Sequence, residues 1–263
     1  MRTGRTLSGM AVEFSGAGDP RRTIELLWNR VPPAAKGPKP KLSVGQVTAV
    51  AVELADAEGI AKLSIRRLAG RIGVGTMSLY TYVPSKEELI DLMVDRVLGE
   101  VLGAYVDVTD WRSGLELVAH TNHGLFQRHP WLLTVSTGRA PLGPNVTDKY
   151  EQELGVIEGI GLSDVEMDSV LSLVIGHTEA TARRAADAAE VVQRTGLTDE
   201  QWWAQSQPVL DEVLDQSRCP LSSRVGRAAG EAHNAASDAA TAFEFGLARI
   251  LDGVSALVTS RSG

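Results

Sequence analysis

The sequence predicts an all-α protein, with an N-terminal three-helix domain that contains a helix-turn-helix and a C-terminal domain that is also helical. Apolar residues recur three and four positions apart over most of the chain, which is the helical period. Several of these runs begin at a Ser or Thr followed three residues later by Gln or Glu, the capping-box signature of a helix start. No run alternates apolar and polar residues with period two, so we expect no strands.

Composition sets the broad class of the protein. Its 263 residues are 43% hydrophobic and 22% charged, which are values typical of globular proteins. No apolar run approaches the ~18 residues of a membrane span, and the N-terminus lacks a secretory signal pattern. The single cysteine, Cys219, excludes an internal disulfide framework and a cysteine-cluster zinc site. A cytoplasmic location is the default expectation.

Positive charge is concentrated at the N-terminal end. Residues 1–42 hold eight Lys and Arg against three Asp and Glu, and residues 43–89 hold five of each. Residues 90–263 hold 13 Lys and Arg against 25 Asp and Glu, and this acidic excess gives the chain its overall charge of -7. This asymmetry indicates a polyanionic partner at one end and an acidic, solvated body at the other.

The N-terminal extension has three parts. Residues 1–18 are rich in Gly, Ser and Thr, and we expect them to be disordered. Asp19 followed by Pro20 predicts the start of a short amphipathic helix that ends near Asn29. The apolar residues expected on its buried side are Ile24, Leu27 and Trp28.

A basic, proline-rich linker follows at residues 31–41. Its lysines Lys36, Lys39 and Lys41 lie just before the first domain helix. Two interpretations stay open: an arm that follows the DNA backbone or minor groove, or a solvated tether.

The first domain helix starts at a Ser43–Gln46 capping box, runs to about Glu58 and ends at Gly59. Its expected buried stripe comprises Val47, Val50, Ala51 and Leu54.

A helix-turn-helix follows. Ser64 can cap a helix that Gly73 ends, and a second short helix then runs from about Gly75 to Tyr80. The first of these helices has one apolar face, formed by Ile65, Leu68, Ala69 and Ile72. Small and hydroxylic residues begin the second helix and allow a close approach to base edges in a major groove. The alternative is a helical hairpin without a nucleic-acid role.

A third, longer helix starts after Pro84, where Ser85 and Glu88 form another predicted capping box. Its expected inward side comprises Leu89, Leu92, Met93, Val97, Val101 and Leu102. Near its start, Tyr80, Tyr82 and Lys86 can reach phosphate oxygens.

The sequence pattern also predicts helices in the rest of the chain. Thr137–Pro144 is rich in Gly and Pro and is predicted to be a loop, and boundaries in residues 217–236 are not defined by the pattern. The predicted helices are 111–128, capped by Asp110; 145–158; 163–193, opened by Ser163 and Glu166; one that begins at Thr198 with Gln201; and 237–259.

The segment from Ser43 to Val97 resembles the DNA-binding domain of the TetR/AcrR family of bacterial transcriptional repressors. The resemblance rests on Gly73-Val74, the small and hydroxylic run, Leu79-Tyr80, and Ser85-Lys86-Glu87-Glu88-Leu89. It implies base contacts at Arg66, Thr76, Met77 and Ser78, of which Met77 could instead pack against the protein. Arg67 and Arg71 are as consistent with solvation as with binding. The full predicted DNA-contacting set is Lys39, Lys41, Ser64, Arg66, Thr76, Met77, Ser78, Tyr80, Tyr82 and Lys86.

A second, looser resemblance links Phe243–Val258 and Ser136–Pro141 to the tetracycline-repressor branch of this family. It implies an all-α regulatory domain with a ligand cavity, and dimerisation through a four-helix bundle of the 163–193 and C-terminal helices. The predicted effector-contacting residues are His123, Phe126, Trp131, Tyr150, His177 and Trp202, and ordinary core positions are the alternative for each. His120 and His123 lack a third ligand in register, so no metal site is predicted.

These features together predict a cytoplasmic, homodimeric regulator, a repressor that a small molecule releases from a palindromic operator in double-stranded DNA. The predicted divisions are residues 1–42, 43–89 and 90–263. No nucleotide, zinc-protease or serine-hydrolase motif occurs, so neither an enzyme nor a cofactor is expected. The rival interpretations are an effector-independent DNA-binding protein and an all-α enzyme.

Overall fold

A computed structural model describes residues 13–30 and 42–261 and confirms the prediction of an all-α fold. The chain divides into two compact units, residues 1–171 and 172–263. Elements of the first unit are β1 (Glu13–Phe14), α1 (Pro20–Leu27), α2 (Val44–Glu58), α3 (Ile65–Ile72), α4 (Thr76–Tyr80), α5 (Lys86–Leu98), α6 (Trp111–Arg128), β2 (Val135–Ser136), α7 (Pro144–Gly155) and the start of α8 (Asp164–Thr195). The second unit holds the remainder of α8, α9 (Asp199–Val213), α10 (Pro220–His233) and α11 (Ala239–Thr259).

The predicted capping box of α2 is confirmed. The backbone N–H of Ser43 donates to the Gln46 side chain at 2.9 Å, and the Gln46 N–H donates back to the Ser43 hydroxyl at 3.1 Å. The helix ends at Gly59, whose φ of 83° lies in the region that favours glycine. Both boundaries follow from local chemistry, which explains why the sequence predicts them correctly.

One hydrophobic core joins α2, α3, α4 and α5. Val47, Leu68, Leu79, Leu89 and Met93 are all fully buried in it. Burying a side chain of this size stabilises the fold by ~1.5–3 kcal/mol. The short helix α4 is therefore fastened to the same core as the longer helices around it.

The expectation of disorder for residues 1–18 is wrong from Glu13 onward, and the part before Glu13 lies outside the described residues. The expectation of no strands is also wrong. β1 and β2 form a two-stranded parallel sheet in which Glu13 pairs with Val135 and Phe14 pairs with Ser136. Two residues are too short to produce an alternating pattern, and the partner strand is remote in sequence.

Helix α1 begins as predicted at Asp19, whose side chain caps it. Its buried side is only partly the predicted one. Leu26 and Leu27 are buried, whereas Ile24 and Trp28 are 38% and 43% exposed. The helix is thus rotated relative to the prediction, because the side that packs against α5 was not visible from the apolar residues alone.

Smaller differences occur after α5. This helix ends at Leu98 and a 3-10 turn, Gly99–Val101, continues the chain. Val101 is buried as predicted, but Leu102 is only half-buried. Helix α7 begins at Pro144, close to the predicted start, and ends at Gly155, before the predicted end.

In the second unit, the predicted capping box of Thr198 and Gln201 opens α9. The ring of His177 in α8 stacks on Phe243 of α11, with centroids 6.0 Å apart and planes 3° apart. The region of undefined boundaries contains α10, which ends at Asn234 in the left-handed conformation. Across residues 13–30 and 42–261, no helix is long and apolar enough to span a membrane.

Candidate nucleic-acid interface

The turn between α3 and α4 depends on Gly73. The residue adopts a left-handed conformation with φ of 82°, which a side chain would strain. At the other end of α3, the Ser64 hydroxyl accepts the Arg67 N–H at 3.2 Å, as a cap should. The hydroxyl of Ser64 keeps its own proton for a second partner, so capping is compatible with the predicted DNA contact.

Helix α4, the predicted recognition helix, presents Met77 and Ser78 outward. Leu79 is fully buried and anchors the helix, while Met77 is 78% exposed and Ser78 is exposed. Thr76 is half-buried at the start of the helix. The exposure of Met77 argues against the alternative that it packs within its own unit. The predicted base-contacting residues of α4 therefore lie together on one short, anchored segment.

The three arginines of α3 differ in their surroundings. Arg66 is exposed, as its predicted contact with a guanine requires. Arg67 forms an ion pair with Glu58 of α2. Arg71 is exposed at the end of the helix. The ion pair gives Arg67 a role inside the domain, which the sequence left open.

The predicted phosphate-contacting residues are not equally available. Tyr80 is 43% exposed, and Tyr82 is half-buried against the core. The ammonium of Lys86 donates to the Glu13 carboxylate at 2.6 Å. This partner lies 73 positions away in the chain and could not be found from helical spacing. Lys39 and Lys41 lie outside the described residues, so their contacts stay predictions.

The predicted capping box of α5 is only half present. The Ser85 hydroxyl accepts from the Glu88 N–H at 3.5 Å, and also from the Glu87 N–H at 3.2 Å. The Glu88 carboxylate is fully buried and accepts instead from the Ser85 hydroxyl and from the guanidinium of Arg22. Burial raises the pKa of Glu88, yet these hydrogen bonds and the Arg22 charge outweigh it and hold the pKa below its usual value. Glu88 is thus an ionised anchor for α1.

Two further carboxylates lie on the same side of α5, at helical spacing from Glu88. Asp91 is fully buried and accepts from the Ser15 hydroxyl at 2.6 Å. Asp95 accepts from the backbone N–H of Val146 at 3.0 Å. Burial raises the pKa of both Asp91 and Asp95 above the usual value, and their hydrogen bonds offset this only partly. Buried carboxylates therefore tie α5 to the N-terminal segment and to the start of α7.

A polar junction fixes α2 to the 3-10 turn Pro130–Thr134. The indole N–H of Trp131 donates to Asp56 at 2.7 Å. The ring of His129 bonds to Asp56 at 2.7 Å and to Glu100 at 3.1 Å. Trp131, predicted from the sequence as an effector contact, is buried and holds this junction.

The other predicted effector contacts fall in both units. In the first unit, Phe126 is half-buried against the core and His123 is half-buried. Tyr150 is 43% exposed and donates to Asp168 at 2.8 Å. In the second unit, the Nε2 of His177 bonds to the Phe243 carbonyl at 2.9 Å and Trp202 is half exposed. That these residues contact an effector stays a prediction.

A buried polar cluster in the first unit was not predicted from the sequence. Glu153 accepts from Lys149 at 2.6 Å, Asn122 at 2.8 Å and Tyr105 at 3.2 Å. Burial and the neighbouring Glu153 carboxylate raise the pKa of Tyr105. Lys149 and Glu153 are four residues apart on a helix, and that spacing was the available signal.

Next to this cluster lies a cleft of about 470 Å³. Residues that line it include Tyr105, Val108, Trp111, Gln152, Val156 and Glu158. Its lining mixes the carboxylates of Asp110 and Glu158 with the aromatic rings of Tyr105 and Trp111.

Two family models match the chain. The model described as "Bacterial regulatory proteins, tetR family" matches residues 47–93, which include the helix-turn-helix. The model described as "Tetracyclin repressor-like, C-terminal domain" matches residues 107–258. The first match includes most of Ser43–Val97, and the second includes both Ser136–Pro141 and Phe243–Val258, the segments on which the two resemblances rest.

Similar proteins agree with the family models. The HTH-type transcriptional repressor DrrR1 of Streptomyces coeruleorubidus is 41% identical over 263 residues, 99% of this chain and 95% of the relative. Apo ActR from Streptomyces coelicolor is 26% identical, with a TM-score of 0.70 over 85% of this chain and 99% of ActR. ActR in complex with actinorhodin, also 26% identical, has a TM-score of 0.66 over 82% of this chain and 96% of ActR. With the exposed recognition helix, these matches show that the chain belongs to the TetR family of DNA-binding transcriptional regulators.

Proposed function

We propose that this chain is a homodimeric repressor that acts in the cytoplasm and leaves a palindromic operator when a small molecule binds. The observation that carries the proposal is the exposure of Met77 and Ser78, next to half-buried Thr76, on a helix that buried Leu79 fastens to the core. A rigidly held, outward helix of small side chains suits insertion into a major groove. The proposed domains are an N-terminal extension at residues 1–42, a DNA-binding domain at 43–89, and a ligand-binding and dimerisation domain at 90–263.

Sequence readout is assigned to Arg66, Thr76, Met77 and Ser78. A guanidinium can bond two acceptors of a guanine, hydroxyls can bond several bases, and the Met77 side chain can touch a thymine methyl group. Backbone contacts are assigned to Ser64, Tyr80, Tyr82, Lys86, Lys39 and Lys41. Such contacts fix register without selecting sequence.

Two recognition helices are needed to read a palindrome. We assign dimerisation to α8 and α11, whose described residues include exposed Leu173 and Phe245. Exposed apolar side chains of this size on long helices suit a helix-bundle interface. A two-fold dimer predicts half-sites in successive major grooves, about one helical turn apart.

We assign effector binding to the C-terminal part of the chain. ActR, a similar protein, has been solved in complex with actinorhodin, so a related regulator does bind a small molecule. In the first unit the candidate contacts are the cleft beside Tyr105 and the residues His123, Phe126, Trp131 and Tyr150. In the second unit they are His177 and Trp202. An effector releases the operator only if it binds the form that is poor at DNA binding more tightly than the other form.

Selection of bound duplexes from a random pool tests the proposal, with multi-angle light scattering to measure the mass of the protein. The expected result is an enriched palindrome and a dimer. Enrichment of no sequence over a scrambled competitor would remove the regulator assignment and reopen the search for a catalytic role. A monomer would remove the two-fold model.

A second measurement separates an effector-dependent repressor from an effector-independent one. Operator binding is followed by fluorescence anisotropy while actinorhodin, and then a panel of other planar small molecules, is added. Displacement of the protein by any of them supports the repressor model. If none displaces or thermally stabilises the protein, the effector-independent alternative is favoured.

A further inference from the structure

The N-terminal segment, residues 13–30, is held to the first half of α5 by polar contacts. Two of its charged residues, Glu13 and Arg22, pair with opposite charges on α5. These contacts are Glu13 with Lys86 at 2.6 Å, the Ser15 hydroxyl with Asp91 at 2.6 Å, the Gly16 N–H with Asp91 at 2.9 Å, and the Arg22 Nε with Glu88 at 2.9 Å. The segment therefore contacts the helix that begins directly after the helix-turn-helix.

The same segment also contacts residues 135–142. β1 pairs with β2, and the Ser15 N–H donates to the Ser136 carbonyl at 3.0 Å. The indole N–H of Trp28 donates to the Leu142 carbonyl at 2.8 Å. The N-terminal segment thus connects α5 to residues 135–142.

Glu13 is paired with Lys86, a side chain that we expect to contact a DNA phosphate. Lys86 stands at the first position of α5, beside Tyr80 and Tyr82 in the predicted phosphate-contacting set. Its side chain is 26% exposed and that of Glu13 is 18% exposed, so solvent screens this ion pair incompletely. A phosphate that approached the ammonium would meet the Glu13 carboxylate and be repelled by it.

We propose that Glu13 is an autoinhibitory residue, which competes with a DNA phosphate for the ammonium of Lys86. The proposal rests on the proposed function, because it requires Lys86 to contact the operator backbone. β1 carries Glu13 and is in register with β2, so the position of residues 135–142 sets the strength of the competition. A shift of that segment away from α5 withdraws Glu13 and frees Lys86.

The attachment is of a kind that can open. A two-stranded sheet of two-residue strands is marginal by itself. Within the described part of the chain, the second carboxylate oxygen of Asp91 is buried without a hydrogen-bond partner, which costs free energy in the closed form. Opening that is confined to residues 13–16 breaks few contacts and leaves Leu26 and Leu27 of α1 buried in the core, so it is accessible well below the free energy of global unfolding.

The test compares Glu13→Gln with the wild type, using full-length chains and the selected operator duplex at several KCl concentrations. We expect Glu13→Gln to bind about fivefold more tightly, and its plot of log K against log salt to steepen by up to ~0.9, the slope of one added phosphate contact. The matched control is Glu25→Gln, which makes the same charge change in an exposed ion pair with Arg21. Its affinity should change less than twofold.

A double variant identifies the partner. In a Lys86→Gln background, Glu13→Gln should no longer tighten binding. Ser15→Ala, which loosens the same segment at Asp91, should tighten binding only when Lys86 is present. Circular dichroism melts confirm that each variant is folded.

Several results would overturn the proposal. Unchanged or weaker binding by Glu13→Gln, with tight binding by the wild type, removes autoinhibition and leaves the proposed function standing. Tightening that persists without Lys86 removes the competition for that residue. Failure of the wild type and every variant to prefer any duplex removes the proposed function, and this inference with it.

Discussion

Two neighbouring positions of α4 should separate folding from DNA binding. Leu79 is fully buried, whereas Met77 is 78% exposed. Leu79→Ala deletes three carbon atoms, worth about 2.4 kcal/mol at ~0.8 kcal/mol each. The cavity left behind raises the expected loss of unfolding free energy to about 3 kcal/mol. Met77→Ala removes mainly solvated surface and should change stability by less than about 0.5 kcal/mol.

Urea unfolding followed by circular dichroism measures both stabilities, and fluorescence anisotropy measures operator affinity. We expect Met77→Ala to unfold like the wild type but to lose about fivefold in affinity where its side chain meets a thymine methyl group. Leu79→Ala should unfold at a lower urea concentration than the wild type. Its operator affinity should fall only in proportion to the fraction of protein that is unfolded.

Either of two results would refute this reasoning. Wild-type stability in Leu79→Ala would mean that α4 is not anchored in the core. If Met77→Ala lowered the free energy of unfolding by several kcal/mol, the Met77 side chain would have to pack within the protein, as the alternative interpretation holds.

Three further predictions concern other parts of the first unit. Arg66→Ala should alter the preferred operator sequence in a random-pool selection, whereas Arg194→Ala, the same charge change in the second unit, should leave it unaltered. Asp91→Asn should raise stability near pH 7, because burial raises the pKa of Asp91 and disfavours its charge; this gain should disappear in melts as pH falls through the raised pKa. Trp131→Phe should lower the unfolding free energy by ~1–3 kcal/mol in urea titrations, because it leaves the Asp56 carboxylate without the indole donor. Equal stability of this variant would show that the junction does not hold α2.

The helix boundaries were predictable because they depend on neighbours in the chain. The Ser43 capping box, the Ser64 cap and the left-handed Gly73 each act within four residues. The helix-turn-helix follows from the same local rules, combined with helical periodicity. The exposure of Met77 was left open by the sequence and was decided by the structure. Families that share these local features can therefore be identified from the sequence.

By itself, the order of residues determined most of the helices, the ends that a cap or a left-handed glycine fixes, and the helix-turn-helix. It did not give the end of α7 or the bounds of α10. Only the tertiary structure shows that Lys86 pairs with Glu13 and Glu88 with Arg22. It alone also shows that Asp91 bonds to Ser15 and Trp131 to Asp56. These contacts join positions more than 60 residues apart, for which no spacing rule exists. Buried charges must be matched by whatever group the packing brings near them, and that group is known only once the helices are in place.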